Sequence, residues 1–211
     1  MNASDALGRL LRLRVPAVTT ADTAALLGIS VEAASQTLRR LAASGLVTPV
    51  RKGLWALRER PEPLALAEYV TAPYPSYVSL QTALHLHGMI DQVPAMTYLV
   101  SLARSARVRT PVGIYSVHHV RPEFFGGAVQ DPASGVRLAS PEKALVDFLY
   151  LSPTRSRLFT RLPELELPRS FRRQAARKWV TRIPPGRMRT IVEGALERAL
   201  EGSSKARPPT P

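Results

Sequence analysis

Apolar residues recur along this chain first at helical and then at alternating spacing, and the order of those runs predicts its organisation. Ser4 to Leu13 places Leu7, Leu10 and Leu11 at i, i+3 and i+4 with Arg9 and Arg12 turned out, so a first amphipathic helix is expected. Pro16 lacks an N–H and disfavours a helical residue before it, which ends that helix. Thr20 is the expected N-cap of a short second helix, Ala21 to Leu27, burying Ala24, Ala25 and Leu27. After the turn Gly28-Ile29-Ser30, Ser30 caps a third helix and Gly45 sits where a left-handed C′ residue belongs. Its inward stripe is Ala34, Leu38 and Leu41, and Glu32, Ser35, Gln36, Arg39 and Arg40 occupy other faces. Leu46 to Val50 and Leu54 to Leu57 read as strands joined by the turn Arg51-Lys52-Gly53. Three helices followed by a hairpin is the order of a winged helix-turn-helix, expected over residues 1–60, with its third helix in a major groove.

The pattern then changes. Four prolines within residues 61–75 suggest a linker holding one short helix, Leu64 to Tyr69. A helix follows with Ser79 as cap, Leu80, Ala83, Leu84 and Leu86 inward, and Gly88 at its end. Thr97 to Leu102 and Val112 to Val120 read as strands, joined by an arginine-bearing loop, "ARSARVRTP". "SPEKALVDFLYL" is a helix with Ser140 as N-cap, Pro141 at the first position and a core stripe of Ala144, Leu145, Phe148 and Leu149. In "PRSFRRQAARKWVTRI", helical spacing puts Arg169, Arg172, Arg173 and Arg177 on one basic stripe beside Lys178, with Phe171, Ala175 and Trp179 on another face. A last helix carries Met188, Ile191, Val192, Ala195, Leu196 and Ala199, and "GSSKARPPTP" reads as a disordered tail. The expected class is α+β: the N-terminal unit, a linker (61–75), a mixed α/β domain with a helical, basic C-terminal part (76–201) and the tail (202–211).

Charge sharpens this picture. The 211 residues carry 29 Lys+Arg against 16 Asp+Glu, a formal +13. Residues 1–60 hold 9 basic and 4 acidic groups, 61–150 hold 6 and 7, and 151–211 hold 14 and 5. Two basic ends around a neutral middle suggest a polyanion touched at two places, although only 4 of the basic residues are Lys and Arg-rich composition decorates any surface. The 45% hydrophobic content suffices for a core, no apolar run approaches the ~20 residues of a bilayer span, and no signal-peptide pattern opens the chain. With no cysteine, neither disulfides nor thiolate metal sites arise. A soluble cytoplasmic protein is expected.

The candidate chemistry is recognition. Ser35 and Gln36, in the N-terminal half of the third helix, are placed to read base edges, Gln bidentately on adenine. Arg39, Arg40 and the hairpin-tip Arg51 and Lys52 suit bases or phosphates, and Thr20 and Ser30 stand at helix starts that favour a phosphate. Each of these is also an ordinary solvated position, so the ordered set carries the reading. Arg169, Arg172, Arg173, Arg177 and Lys178 form a second basic surface, fit for DNA backbone or an acidic protein partner. Catalysis, metal and cofactor have weak cases: His85 and His87 (i, i+2) and His118 and His119 point apart. Glu142, Lys143 and Asp147 invite a nuclease reading but lack a second acidic cluster.

The middle of the chain resembles a known family. "YPSYVSLQTALHLHGMI", then "TPVGIYSVHHV" and "FFGG", then "LASPEKALVDFLYL" are similar to the AbiEi antitoxins of type IV toxin–antitoxin systems. The matching positions are Tyr77 to Ile90, Pro111 to Tyr115 and Ala139 to Leu145, with Met89 where Leu is usual and a more arginine-rich end. The resemblance covers most of residues 5–151. It implies an N-terminal winged helix on an antitoxin domain and no enzymatic activity. It also implies repression of the antitoxin's own operon through promoter inverted repeats. The functional partner would be a nucleotidyltransferase-like toxin, neutralised without an assumed stable complex. Ser79, His87, Gly88, Pro141, Glu142 and Lys143 are thereby family features; as residues they read as caps and packing.

Overall fold

Ala6 and Leu10 anchor the first helix, α1 (Ala3–Arg12), and both are fully buried. Leu11, expected inward, is half exposed, because the helix meets its neighbours along the Ala6–Leu10 line. In this computed structural model, which describes residues 3–132, 134–152 and 165–205, α2 (Thr20–Leu27) starts one residue earlier than expected. Thr19 is its cap: the Thr19 hydroxyl accepts the Asp22 N–H at 3.0 Å while the Asp22 carboxylate accepts the Thr19 N–H at 3.1 Å. That reciprocal box needs an acid three residues on, which Thr19 has and Thr20 lacks. Thr23 takes the inward place expected of Ala25, which is exposed, and donates its hydroxyl to the Thr19 carbonyl. Helix α3 (Val31–Ala43) follows expectation. The Ser30 hydroxyl accepts the Ala33 N–H at 3.2 Å, and the C-terminus closes with Leu46 N–H on the Leu41 carbonyl and Gly45 N–H on Ala42. Gly45 holds φ +72°, the left-handed conformation this closure requires.

The hairpin of β2 (Thr48–Arg51) and β3 (Leu54–Ala56) gains an unforeseen third strand, β1 (Ala17–Thr19), giving the antiparallel order β1-β3-β2. Three residues carry no periodic signal; β1 exists because β3 offers it an edge.

A six-stranded sheet is built from β4 (Ser76–Val78), β5 (Thr97–Ser101), β6 (Ala106–Thr110), β7 (Gly113–His119), β8 (Ala128–Gln130) and β9 (Arg137–Ala139). Its order is β6-β7-β5-β4-β9-β8, parallel at β5–β7 and β4–β9 and antiparallel elsewhere. The arginine-bearing stretch expected as a loop is therefore largely β6, since Arg-Val-Arg-Thr alternates in the way an edge strand tolerates.

One face of this sheet gathers α5 (Leu80–Leu86), α6 (Pro141–Leu151), α7 (Arg173–Val180) and α8 (Arg187–Lys205) around Tyr98 and Val100. The other face, through Leu99, Tyr115 and Val117, meets Val50, Leu54 and Ala56 of the smaller sheet. Between them lies residues 61–75, whose helix α4 (Ala67–Thr71) and preceding 3-10 turn bury Leu66, Ala67 and Val70 in that shared core. The proline-rich segment is thus anchored through its helical middle, while residues 72–75 are exposed.

Some outer positions differ from expectation. Leu86 and Ile191 are exposed, and Leu200 is buried beyond the expected stripe. Of the expected tail, residues 202–205 continue α8 and 206–211 lie outside the described residues. No helix among the described residues is long and apolar enough to cross a membrane.

Candidate nucleic-acid interface

Because Ala34, Leu38 and Leu41 fix one side of α3 in the core, helical geometry turns the opposite side to water. That side carries Glu32, Gln36, Arg39 and Arg40, all exposed, and the half-buried Ser35. Gln36, Arg39 and Arg40 make no side-chain hydrogen bond or ion pair among the described residues. The Glu32 carboxylate is held below its usual range by its own backbone N–H and by the Ser30 hydroxyl, so it stays charged at the start of the helix. Ser30 itself is occupied as the cap.

The hairpin divides the two cations assigned to its tip. Lys52 is exposed beside Gly53, whose φ of +75° makes the tight turn. Arg51 instead folds back, its guanidinium donating to the carbonyls of Tyr69 at 3.4 Å and Ala72 at 3.3 Å, so it ties the hairpin to the end of α4. Thr20 is likewise engaged. Its N–H donates to the Gly53 carbonyl at 2.9 Å and its hydroxyl accepts the Trp55 indole N–H at 3.0 Å, which locks the start of α2 to the hairpin.

The second basic surface is not the continuous helical stripe expected. Helix α7 begins at Arg173, and Arg169 and Arg172 precede it. The Glu142 carboxylate accepts the Arg172 N–H at 2.8 Å and holds that residue extended, with the Arg172 guanidinium 3.9 Å away. Arg177 binds both oxygens of Glu197 at 2.8 Å, the bidentate fork typical of strong arginine–carboxylate pairs. Arg173 adds its field to Glu197. Arg182 lies 4.2 Å over the Trp179 ring, and Arg189 donates to the carbonyls of Ile183 and Thr181. Arg169 and Lys178 are exposed without such partners among the described residues.

Beneath Trp179 of α7 lies a buried polar node. Lys143 and Asp147, one turn apart on α6, form an ion pair with both side chains fully buried. Lys143 also donates to the Phe124 carbonyl at 2.9 Å and sits over the rings of Phe124 and Trp179. Asp147 accepts the hydroxyls of Ser79 at 2.7 Å and Tyr77 at 3.2 Å. Ser79, expected to cap α5, therefore makes no capping bond. Burial depresses the Lys143 ammonium and raises the Asp147 carboxyl, each opposed by the other's charge, and burial drives the Tyr77 hydroxyl far above its usual range. Gly127 belongs to the same node: a Cβ there would stand 2.5 Å from the Trp179 ring. The nuclease reading of Glu142, Lys143 and Asp147 thus meets a cluster whose polar atoms are taken up inside the chain.

The histidines do not converge: His85 Nδ1 faces the Ile90 carbonyl, and His87 Nε2–H donates to Ala139 at 2.7 Å. Compared with protein-family models the chain matches none, and no curated protein matches it.

Proposed function

We propose that the N-terminal unit is a winged helix-turn-helix that reads duplex DNA through the outer face of α3, and that the chain is a transcriptional autorepressor with an antitoxin role. The observation carrying the DNA half is the exposed, internally unpartnered row Gln36, Arg39 and Arg40, opposite the helix's buried stripe. Gln36 and Ser35 read bases, while Arg39, Arg40 and Lys52 hold phosphates. Two protomers, or two cooperating monomers, set their α3 helices in successive major grooves about 34 Å apart on a promoter inverted repeat. Such binding keeps the protein in the cytoplasm, on the nucleoid.

The antitoxin half rests on the AbiEi resemblance of Tyr77 to Ile90, Pro111 to Tyr115 and Ala139 to Leu145. The toxin is a nucleotidyltransferase-like protein that need not be held in a stable complex. A protein-binding role for the C-terminal helices, the second reading, has less to draw on, because Arg172 and Arg177 already face Glu142 and Glu197.

A gel-shift titration on the promoter of the chain's own gene tests the first half. Gln36→Ala is expected to lose about 1–3 kcal/mol of affinity for the repeat and none for random sequence; unchanged binding to both sinks base reading by α3. For the second half, a toxin encoded beside this gene should arrest growth alone and not with this chain. Continued arrest removes the antitoxin role and leaves the repressor intact.

A further inference from the structure

We propose that the free edge at β6, with the apolar groove beside it, docks an acidic, extended segment of a partner protein. β6 ends the six-stranded sheet, so alternate N–H and C=O groups along its outer side have no neighbouring strand among the described residues. Extended peptides join sheets at such edges, taking main-chain hydrogen bonds there and specificity from pockets for their side chains.

Two further features select what joins this one. Arg107 and Arg109 are exposed on β6, alternate with half-buried Val108 and Thr110, and so leave the sheet on one face. Neither makes an ion pair or side-chain hydrogen bond among the described residues, and Arg104 is exposed just before the strand. Arg109 stands opposite Ile114 in the β6–β7 register. Ile114 is in turn a wall of a groove of about 290 Å³ lined also by Leu86, Val93 and Met96. Leu86 and Val93 are 47% and 72% exposed, far more than apolar side chains with a settled partner. Carboxylates at alternate positions of the incoming strand meet Arg107 and Arg109. An apolar side chain beyond that paired stretch, at the Thr110 end where Gly113 and Ile114 line the groove, fills it.

A peptide fits this surface better than DNA does. An unpaired strand edge matches a peptide backbone, and an apolar groove offers nothing to a phosphate chain. Charge on an edge strand also discourages self-pairing. Yet the opposite edge, β8, bears no Lys or Arg and leaves Val129 69% exposed, so guarding is not applied evenly. The proposal does not depend on DNA reading by α3.

Anisotropy titrations of the full chain with a labelled extended peptide bearing Glu at alternate positions and one Leu beyond them test it, with Lys-for-Glu and Ser-for-Leu peptides alongside. Saturable binding of the Glu/Leu peptide is expected. It should weaken at least about tenfold in the Arg107→Glu/Arg109→Glu protein and with either altered peptide, and amide exchange over residues 106–110 should slow on binding. Three results overturn the proposal. One is no saturable binding below about 1 mM, or equal binding by the reversed protein. Another is self-association of the reversed protein, which makes the arginines edge guards. The third is a loss of duplex DNA affinity matching that of Arg39 and Arg40 variants, which moves β6 into the DNA surface.

Discussion

The outer face of α3 and the C-terminal third are both rich in arginine, and they hold it in opposite ways. On α3, Arg39 and Arg40 face water with no acid against them among the described residues. In the C-terminal third Arg177 is forked onto Glu197, Arg172 sits by Glu142, Arg182 covers Trp179 and Arg189 caps carbonyls. Counted along the chain, residues 151–211 are the more cationic end, with 14 basic and 5 acidic groups against 9 and 4 in residues 1–60. Of the cations named for each surface, Arg39 and Arg40 are both free, whereas Arg172 and Arg177 already face carboxylates. Net charge sets the long-range field that draws a polyanion. Which face then grips it depends on cations whose bonds are not already made inside the fold.

The strongest way to sharpen the contrast is to strand a cation that the fold has enclosed. Asp147→Ala leaves Lys143 buried without its carboxylate and releases the hydroxyls of Ser79 and Tyr77. Breaking one side of a buried pair costs about 3–5 kcal/mol. The denaturant midpoint should drop accordingly, while the folded fraction keeps its DNA affinity. An unchanged midpoint would mean that the node does not hold β4, α6 and α7 together.

A direct comparison of the two surfaces is smaller in energy and closer to function. Each phosphate contact contributes about 0.9 to the slope of log affinity against log salt on duplex DNA. Removing Arg39 and Arg40 together should flatten that slope by up to about 2, and removing Arg172 and Arg177 together should leave it nearly unchanged. Equal flattening by the two double variants breaks the comparison.

Much of the α3 side was legible because its signals are local. Ser30 caps three residues ahead and Gly45 closes by its own backbone angle, so each rests on neighbours in sequence. The cap of α2 was misplaced by one residue because two threonines adjoin, and Asp22 decides between them. What escaped was non-local. Arg177 finds Glu197 twenty residues on, and Arg172 finds Glu142 thirty residues back, so two members of a stripe lacking acids in sequence meet acids in space. Arg51 turns toward carbonyls of α4 for the same reason. The Lys143–Asp147 spacing on one helix face was readable; that Ser79 and Tyr77 complete it depends on the sheet.

Acid offers a gentler probe of how Arg172 is held. Burial pushes the Glu142 carboxyl up, but the Arg172 N–H, its own N–H and the Ser140 side chain outweigh that and hold it below its ordinary value. A carboxyl lowered by folding stabilises the fold above its unfolded-state value, and that share disappears as pH falls through the folded one. The protein should therefore lose stability on acidification across the carboxylate range. Glu142→Gln should start less stable at neutral pH and decline less steeply. Parallel melting curves for the two proteins would show that Glu142 does not hold Arg172 through its charge.

The smallest effect is expected where the geometry looks strongest. Arg177 and Glu197 meet in a two-bond fork, yet both side chains are about half exposed, and water and salt compete for each charge. The fork raises the Arg177 guanidinium and lowers the Glu197 carboxyl, both in the direction of keeping them charged. Exposed pairs of this kind add little to folding. Arg177→Ala should accordingly shift the melting temperature by less than replicate scatter. It should also free Glu197 to repel a polyanion, so duplex binding at low salt should weaken slightly and recover as salt screens the new charge. A large, salt-independent loss of DNA affinity would show that Arg177 leaves Glu197 for phosphate when DNA arrives, placing the C-terminal third beside α3 as a gripping surface.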